Sequence, residues 1–142
     1  MDSSRAFPNR TTPVLNIGGE GRFDPEWIAE EGLRLGLYAR LSRLTDLAAL
    51  DAFEQELIDR FGDLPDAARR LMTGVRLATL ARAAGVERVD AGPAAIALTM
   101  RPGRTLDVAA LGLTEKDGRL LLKGDFADED ERLQRIEALL TD

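Results

Sequence analysis

The fold class of this chain is decided by residues 85–100, which read GVERVDAGPAAIALTM. The first half, Val86 to Ala91, has the composition of an extended segment, and Gly92-Pro93 supplies a turn. From Ala95 to Met100, larger apolar residues alternate with small ones, which is the period of a half-buried strand. The run therefore predicts a β-hairpin. The side chains expected to face the core on its second strand are Ile96, Leu98 and Met100.

A first helix is predicted upstream, from Asp24-Pro25 to about Ser42, because aspartate can cap free amides and proline is favoured at the first helical position. Gly32 and Gly36 lie four residues apart within it, and each costs about 1 kcal/mol relative to alanine. Either a close helix contact compensates or the helix is locally weak, and close packing is the interpretation we favour. The side chains expected to face inward are Ile28, Leu35, Tyr38 and Leu41, with Trp27 and Leu37 widening the stripe.

Two further helices are predicted before the hairpin. The second begins near the cap Thr45 and ends at Gly62, with apolar residues at helical spacing between them. The third follows Asp63-Leu64-Pro65 and ends at Gly85, and its apolar arc is broad enough for burial on more than one side.

The remaining elements complete an α+β pattern. Pro13 to Ile17 is a brief extended run expected to pair with a sheet edge. Leu106 to Leu113 predicts a short helix, Arg119 to Lys123 a strand, and Asp128 a cap for a last helix. The prediction is an N-terminal helical part of about three helices, followed by a small β-sheet with a short helix and a C-terminal helix.

Length and hydropathy suggest a single domain in the cytoplasm. A chain of 142 residues can bury a core without a metal or disulfide. Residues 1–13 are expected to be a flexible segment and residues 14–142 a single domain. No stretch approaches the roughly 18 apolar residues of a membrane helix, and the N-terminal segment has no secretory pattern. We therefore expect a cytoplasmic protein with no membrane contact.

Composition excludes several classes of function. The chain has no cysteine and no histidine, so it lacks thiolate metal sites, the commonest general base and the commonest transition-metal ligand. We expect no cofactor and no catalysis by this chain. Its net charge of -6 opposes a phosphate backbone, and no basic patch is evident, so we expect no direct binding of nucleic acid.

The segment joining the second and third helices carries a family resemblance. Its residues Glu56-Leu57-Ile58-Asp59-Arg60-Phe61-Gly62-Asp63-Leu64-Pro65 closely resemble the helix-end motif in the C-terminal (TRCF) domain of bacterial transcription-repair coupling factors, the Mfd family. Leu33-Arg34-Leu35 with Tyr38-Ala39-Arg40-Leu41 resembles the preceding helix of that family. Residues 81–93 resemble its helix-to-hairpin join, and the whole resemblance spans about residues 14–100.

The resemblance implies a regulatory domain without catalysis of its own. In the family, this domain packs on an N-terminal module that imitates part of the excision-repair protein UvrB and binds UvrA. It hides that surface until RNA polymerase is engaged, and it restrains an ATP-dependent DNA translocase motor whose nucleotide-binding motifs do not occur here. The acidic contacts of the family interface match Glu56 and Asp59, with Arg60 beside them. The same reading implies a monomer when the partner is absent.

Helical spacing supports a recognition surface at the same place. Residues three and four apart share a helix face, so the second helix is predicted to carry an acidic strip opposite its apolar face. Such a strip could hold arginines of a partner through bidentate hydrogen bonds. Alternatively, Glu56 and Arg60 form an ordinary exposed pair that contributes about 0.3–0.5 kcal/mol and recognises nothing. The acidic strip consists of Ala52, Glu56, Asp59, Arg60 and Asp63, whose four charged residues are the predicted site.

Two other classes of function stay open at this point. Paired carboxylates, either Glu56 with Asp59 or the cluster from Asp125 to Glu131, could hold Mg²⁺ in a small enzyme. A homodimerising structural module could use Trp27 and the helix that carries the two glycines.

Overall fold

The chain was analysed as a computed structural model that describes residues 12–18 and 20–141. These residues form five helices and a five-stranded mixed sheet, so the predicted α+β class is confirmed. They fall into two compact units, one with residues 20–79 and the other with residues 12–18 and 80–141. Most of the segment predicted to be flexible lies outside the described residues, and the single domain stays a prediction. In chain order the elements are β1 (Val14–Asn16), α1 (Glu31–Ser42), α2 (Leu47–Phe61), α3 (Asp66–Ala84), β2 (Val86–Ala91), β3 (Ala95–Met100), α4 (Val108–Leu111), β4 (Thr114–Lys116), β5 (Arg119–Lys123) and α5 (Glu129–Thr141).

The sheet has the strand order β1-β2-β3-β5-β4. The predicted hairpin is β2 and β3, and β1 joins β2 in parallel at one edge. Ile96 and Leu98 are buried as expected, but Ala97 is also only 6% exposed, so the prediction of a half-buried strand is wrong there. The reason is position: β3 lies between β2 and β5, and a strand inside a sheet can be covered on both faces.

The sequence prediction missed the edge strand β4. All three of its residues are exposed, so it has no apolar alternation to reveal it. It forms because Asp117 and Gly118 both take positive φ, at 52° and 79°, and reverse the chain into β5. Turns with two positive φ values match the twist of antiparallel strands.

The first helix begins at Glu31 and not at Asp24, so that prediction is wrong. The Asp24 carbonyl accepts bonds from the amides of Trp27 and Ile28, which closes one turn, but the backbone is extended at Glu30. A tertiary contact holds this turn away from the helix, because the Trp27 indole N–H donates to the Phe61 carbonyl at 3.0 Å.

The packing predicted for α1 is also partly wrong. A Cβ atom added at Gly32 or at Gly36 would meet no atom of the described residues within 4 Å, so none of the described helices makes a close contact there. Leu35 is 61% exposed, whereas Leu37 and Leu41 are the buried residues of this helix. Leu37 and Leu41 are four residues apart and share one face, whereas Leu35, two residues before Leu37, lies on nearly the opposite side of the helix.

The helices α2 and α3 keep the predicted order. The cap of α2 is Asp46 and not Thr45, because an Asp46 side-chain oxygen accepts from the Ala49 amide at 2.8 Å. The helix ends at Phe61, and Gly62 follows with φ of 90°, a conformation that glycine adopts without strain. One core unites α1, α2, α3 and the preceding turn. Its buried members are Phe23, Ile28, Leu37, Leu41, Leu50, Phe53, Leu57, Ala68 and Met72.

Candidate interaction surface

The helix α2 separates an apolar face from a charged one. Leu50, Phe53 and Leu57 are buried on one side, so packing fixes the orientation of the helix. The acidic strip lies on the other side, where Asp59 and Arg60 are exposed and Glu56 is partly exposed. Asp63 is exposed too, but it follows the glycine that ends the helix, so it extends the acidic strip beyond α2.

Glu56 is engaged within the chain. Its two carboxylate oxygens accept hydrogen bonds from the two terminal nitrogens of Arg40, both at 2.7 Å, in the bidentate geometry that makes such pairs strong. Arg60 adds a weaker bond at 3.2 Å. These bonds, above all those from Arg40, lower the pKa of Glu56 from 4.5 to about 2. Glu56 therefore joins α1 to α2.

Arg40 is the partner of Glu56 that the sequence did not indicate. It lies on α1, sixteen residues before Glu56, and helical periodicity does not indicate a pair between two helices. Its guanidinium also lies 5.0 Å from the centre of the Phe53 ring, which adds a cation–π contact. The Arg40 side chain is therefore held by the ion pair with Glu56 and by the contact of its planar guanidinium with the Phe53 ring.

The other three charged residues of the acidic strip differ in the contacts that they make within the chain. Arg60 contacts Glu56, and its guanidinium lies 5.0 Å from the centre of the Phe61 ring. The carboxylates of Asp59 and Asp63 make no hydrogen bond or ion pair with any described residue. The predicted site thus divides into an internal pair, Glu56 and Arg60, and two unpaired acids.

The acidic cluster near the last helix has a structural explanation. Side-chain oxygens of Asp125 and Asp128 accept bonds from the amides of Ala127 and Glu131, at 3.2 and 3.0 Å. Among residues 12–18 and 20–141, no group of three or more acidic side chains is arranged to hold a metal ion. The magnesium-enzyme alternative gains no support from these contacts.

No helix within residues 12–18 and 20–141 is long and apolar enough to cross a membrane.

A family comparison assigns the chain. The model of the TRCF domain matches residues 18–111, which include the first three helices, the hairpin and the acidic strip. The chain belongs to the TRCF domain family. The family predicted from the motif of residues 56–65 is therefore confirmed, and this TRCF domain is distinct from the ATPase motor of the full-length coupling factors.

Individual relatives agree with the family assignment. This TRCF domain is 32% identical over 80 residues to a transcription-repair-coupling factor of Rickettsia bellii (strain RML369-C). The aligned region covers 56% of this chain and 7% of that protein. The domain is 40% identical over 81 residues to the coupling factor of Mycobacterium tuberculosis (strain CDC 1551 / Oshkosh), covering 57% of the chain and 7% of that protein. The chain thus spans a small fraction of these relatives.

A solved structure shares the fold. The crystal structure of the C-terminal domain of a transcription-repair coupling factor superposes with a TM-score of 0.76 at 20% identity. The superposition covers 93% of this TRCF domain and 95% of the other chain, so the fold agreement extends beyond the residues that the family model matches.

Proposed function

We propose that this TRCF domain is a regulatory contact domain without catalysis of its own. It packs on the UvrB-like N-terminal module of a transcription-repair coupling factor, hides the surface by which that module binds UvrA, and restrains the DNA translocase motor. Engagement of RNA polymerase would release the contact. The domain works in the cytoplasm, is monomeric when the module is absent, and does not itself bind nucleic acid.

The observation that carries this proposal is the pair of unpaired acids on the acidic strip. Asp59 and Asp63 are exposed and have no partner among the described residues, while the helix that holds Asp59 is fixed by its buried face. Charges presented on a rigid element lose little conformational freedom when a partner binds. Arginines of the module are the groups that would complement them.

The energies involved suit a reversible contact. Removing one member of a desolvated charge pair costs about 2–5 kcal/mol, and about 5.5 kcal/mol moves a two-state equilibrium from 1:99 to 99:1. Disrupting two such pairs, at Asp59 and Asp63, would therefore shift the equilibrium by an amount of that order. Within one protein, tethering adds an effective concentration of up to about millimolar, so even weak binding between separate pieces is sufficient.

The test is a calorimetric titration of this chain with the UvrB-like N-terminal module of a coupling factor. We expect saturable, salt-sensitive binding that Asp59→Arg with Asp63→Arg reduces at least about 100-fold, since two charge pairs become repulsive. Glu56 is left unchanged in this variant because an arginine there would face Arg40 and disturb the fold.

A matched control separates local from overall charge. Glu87→Arg with Glu115→Arg changes the net charge by the same amount at two exposed positions in β2 and β4. This control is expected to bind like the parent chain. Absence of binding by the parent, or equal loss in the control, would rule out the proposed contact.

A further inference from the structure

The exposed side of α1 has an unusual composition for a surface helix. Leu35 is 61% exposed, and Gly32, Gly36 and Ala39, which lie beside it on the helix surface, are small, uncharged and also exposed, whereas the charged Glu31 lies at the start of the helix. Positions three, four and seven apart share one face of a helix, so these residues form one continuous patch. We define the α1 face as Gly32, Leu35, Gly36 and Ala39.

No contact with the described residues explains this patch. The two glycines cost helix stability, and a Cβ at either would meet no atom of residues 12–18 and 20–141 within 4 Å, so they serve no contact in this part of the chain. Glycines at this spacing allow the backbone of a second helix to come close, and an exposed leucine supplies a side chain to bury. The α1 face is therefore suited to a contact from outside the chain.

The α1 face and the acidic strip are neighbours. Arg40 lies one turn after Gly36 on α1, and its bidentate bonds reach Glu56 in the acidic strip. The ion pair thus connects the apolar surface of α1 to the acidic surface of α2. Asp59 and Asp63 follow Glu56 along the chain, toward and past the end of α2, and their carboxylates have no partner among the described residues.

We propose that the α1 face is the apolar half of the contact made by the acidic strip, and that it seats an amphipathic helix of the UvrB-like N-terminal module. That helix would lay large apolar side chains over Gly32 and Gly36, bury Leu35, and direct arginines at Asp59 and Asp63. The inference rests on the proposed function, and it adds the chemistry of the partner. The two unpaired acids favour a basic helix over a phosphate-bearing ligand, which they repel.

Two substitutions on the α1 face test this inference by titration with the same N-terminal module. Gly36→Leu fills the approach to α1 and is expected to weaken binding at least about 30-fold while raising the thermal midpoint, because leucine favours helix over glycine. Leu35→Ser removes the buried anchor and is expected to weaken binding about tenfold or more. A loss of binding in a more stable protein excludes unfolding as the cause.

Gln134→Leu is the matched control, because it adds an exposed leucine to α5 and leaves the α1 face unchanged. Normal binding by the control with loss in both α1 variants supports the inference. Parent-like binding by Gly36→Leu and Leu35→Ser, with loss in the Asp59→Arg, Asp63→Arg variant, overturns the inference and leaves the proposed function standing. No binding by the parent removes both.

The same variants identify a different occupant if there is one. Sedimentation of the chain alone is expected to give the monomer mass over a wide concentration range. A mass that rises with concentration, and returns to the monomer value in Gly36→Leu, would assign the α1 face to a second copy of this chain and overturn the proposal.

Discussion

The helices α1 and α5 have 12 and 13 residues, and they use their surfaces in opposite ways. α5 buries five residues, including the guanidinium-bearing Arg132, which donates to the carbonyls of Ile17 and Phe126. Its N-terminus is capped by Asp128 and carries three acids in its first turn, which favour the positive end of the helix dipole. Most features of α5 stabilise the fold.

By contrast, α1 buries only Leu37 and Leu41 and has no side-chain cap, because the residue at its N-cap, Glu30, makes no such bond. Two glycines and an exposed leucine occupy its outer side. A helix of this kind gives up stability that simple substitutions would restore, which is common where a surface serves binding. The difference shows that α5 contributes mainly to the core, whereas α1 leaves a small and apolar outer side exposed.

The largest expected difference between α5 and α1 is in the free energy of unfolding that is lost when one of their apolar side chains is truncated to alanine. Ile136→Ala on α5 removes a side chain with no exposed surface and is expected to lower the free energy of unfolding by about 2–5 kcal/mol. Leu35→Ala on α1 is expected to change it by less than about 0.5 kcal/mol. Urea denaturation followed by circular dichroism measures both. Equal losses would mean that α1 contributes to the fold as α5 does.

Glycine substitutions test the same comparison through smaller changes in the free energy of unfolding. Gly36→Ala is expected to raise the free energy of unfolding by about 0.4–1 kcal/mol, because the new methyl group meets open space. Gly21→Ala is the opposite case, since its Cβ would clash with the backbone of Leu71, and it is expected to lower the free energy of unfolding by about 1–3 kcal/mol. Destabilisation by Gly36→Ala would reveal an internal role for that glycine.

The smallest expected effect concerns the ion pair between α1 and α2. The pKa of Glu56 falls from 4.5 to about 2 on folding, so its contribution is complete above pH 4.5 and is lost as pH falls toward 2. Glu56→Gln is expected to flatten the pH dependence of stability within that window, and 1 M salt to diminish the difference from the parent. Parallel curves for the two proteins at low salt would contradict the pairing.

Some of this comparison could be predicted from the sequence. The i,i+3 and i,i+4 spacing placed Glu56, Asp59 and Arg60 on one exposed face of a helix, and the cap of α5 at Asp128 was equally local. Periodicity and capping depend on residues close in the chain, so these features were within reach. The family resemblance then supplied the interpretation of the acidic strip.

Contacts between distant residues lay beyond such reasoning. The indole of Trp27, within the turn that precedes α1, bonds to the Phe61 carbonyl, thirty-four residues away. Arg40 meets Glu56 only because two helices pack together. Neither contact has a periodic signal, and the second one leaves Glu56 already paired within the chain.

Hydrogen exchange, measured on this chain alone and saturated with the UvrB-like N-terminal module, tests the central claim most directly. Binding is expected to slow amide exchange over residues 31–63, which include α1 and the acidic strip, and to leave α5 unchanged. Protection confined to α5, or none in α1 and α2 at saturation, would contradict the assignment of the outer sides of these two helices to a partner.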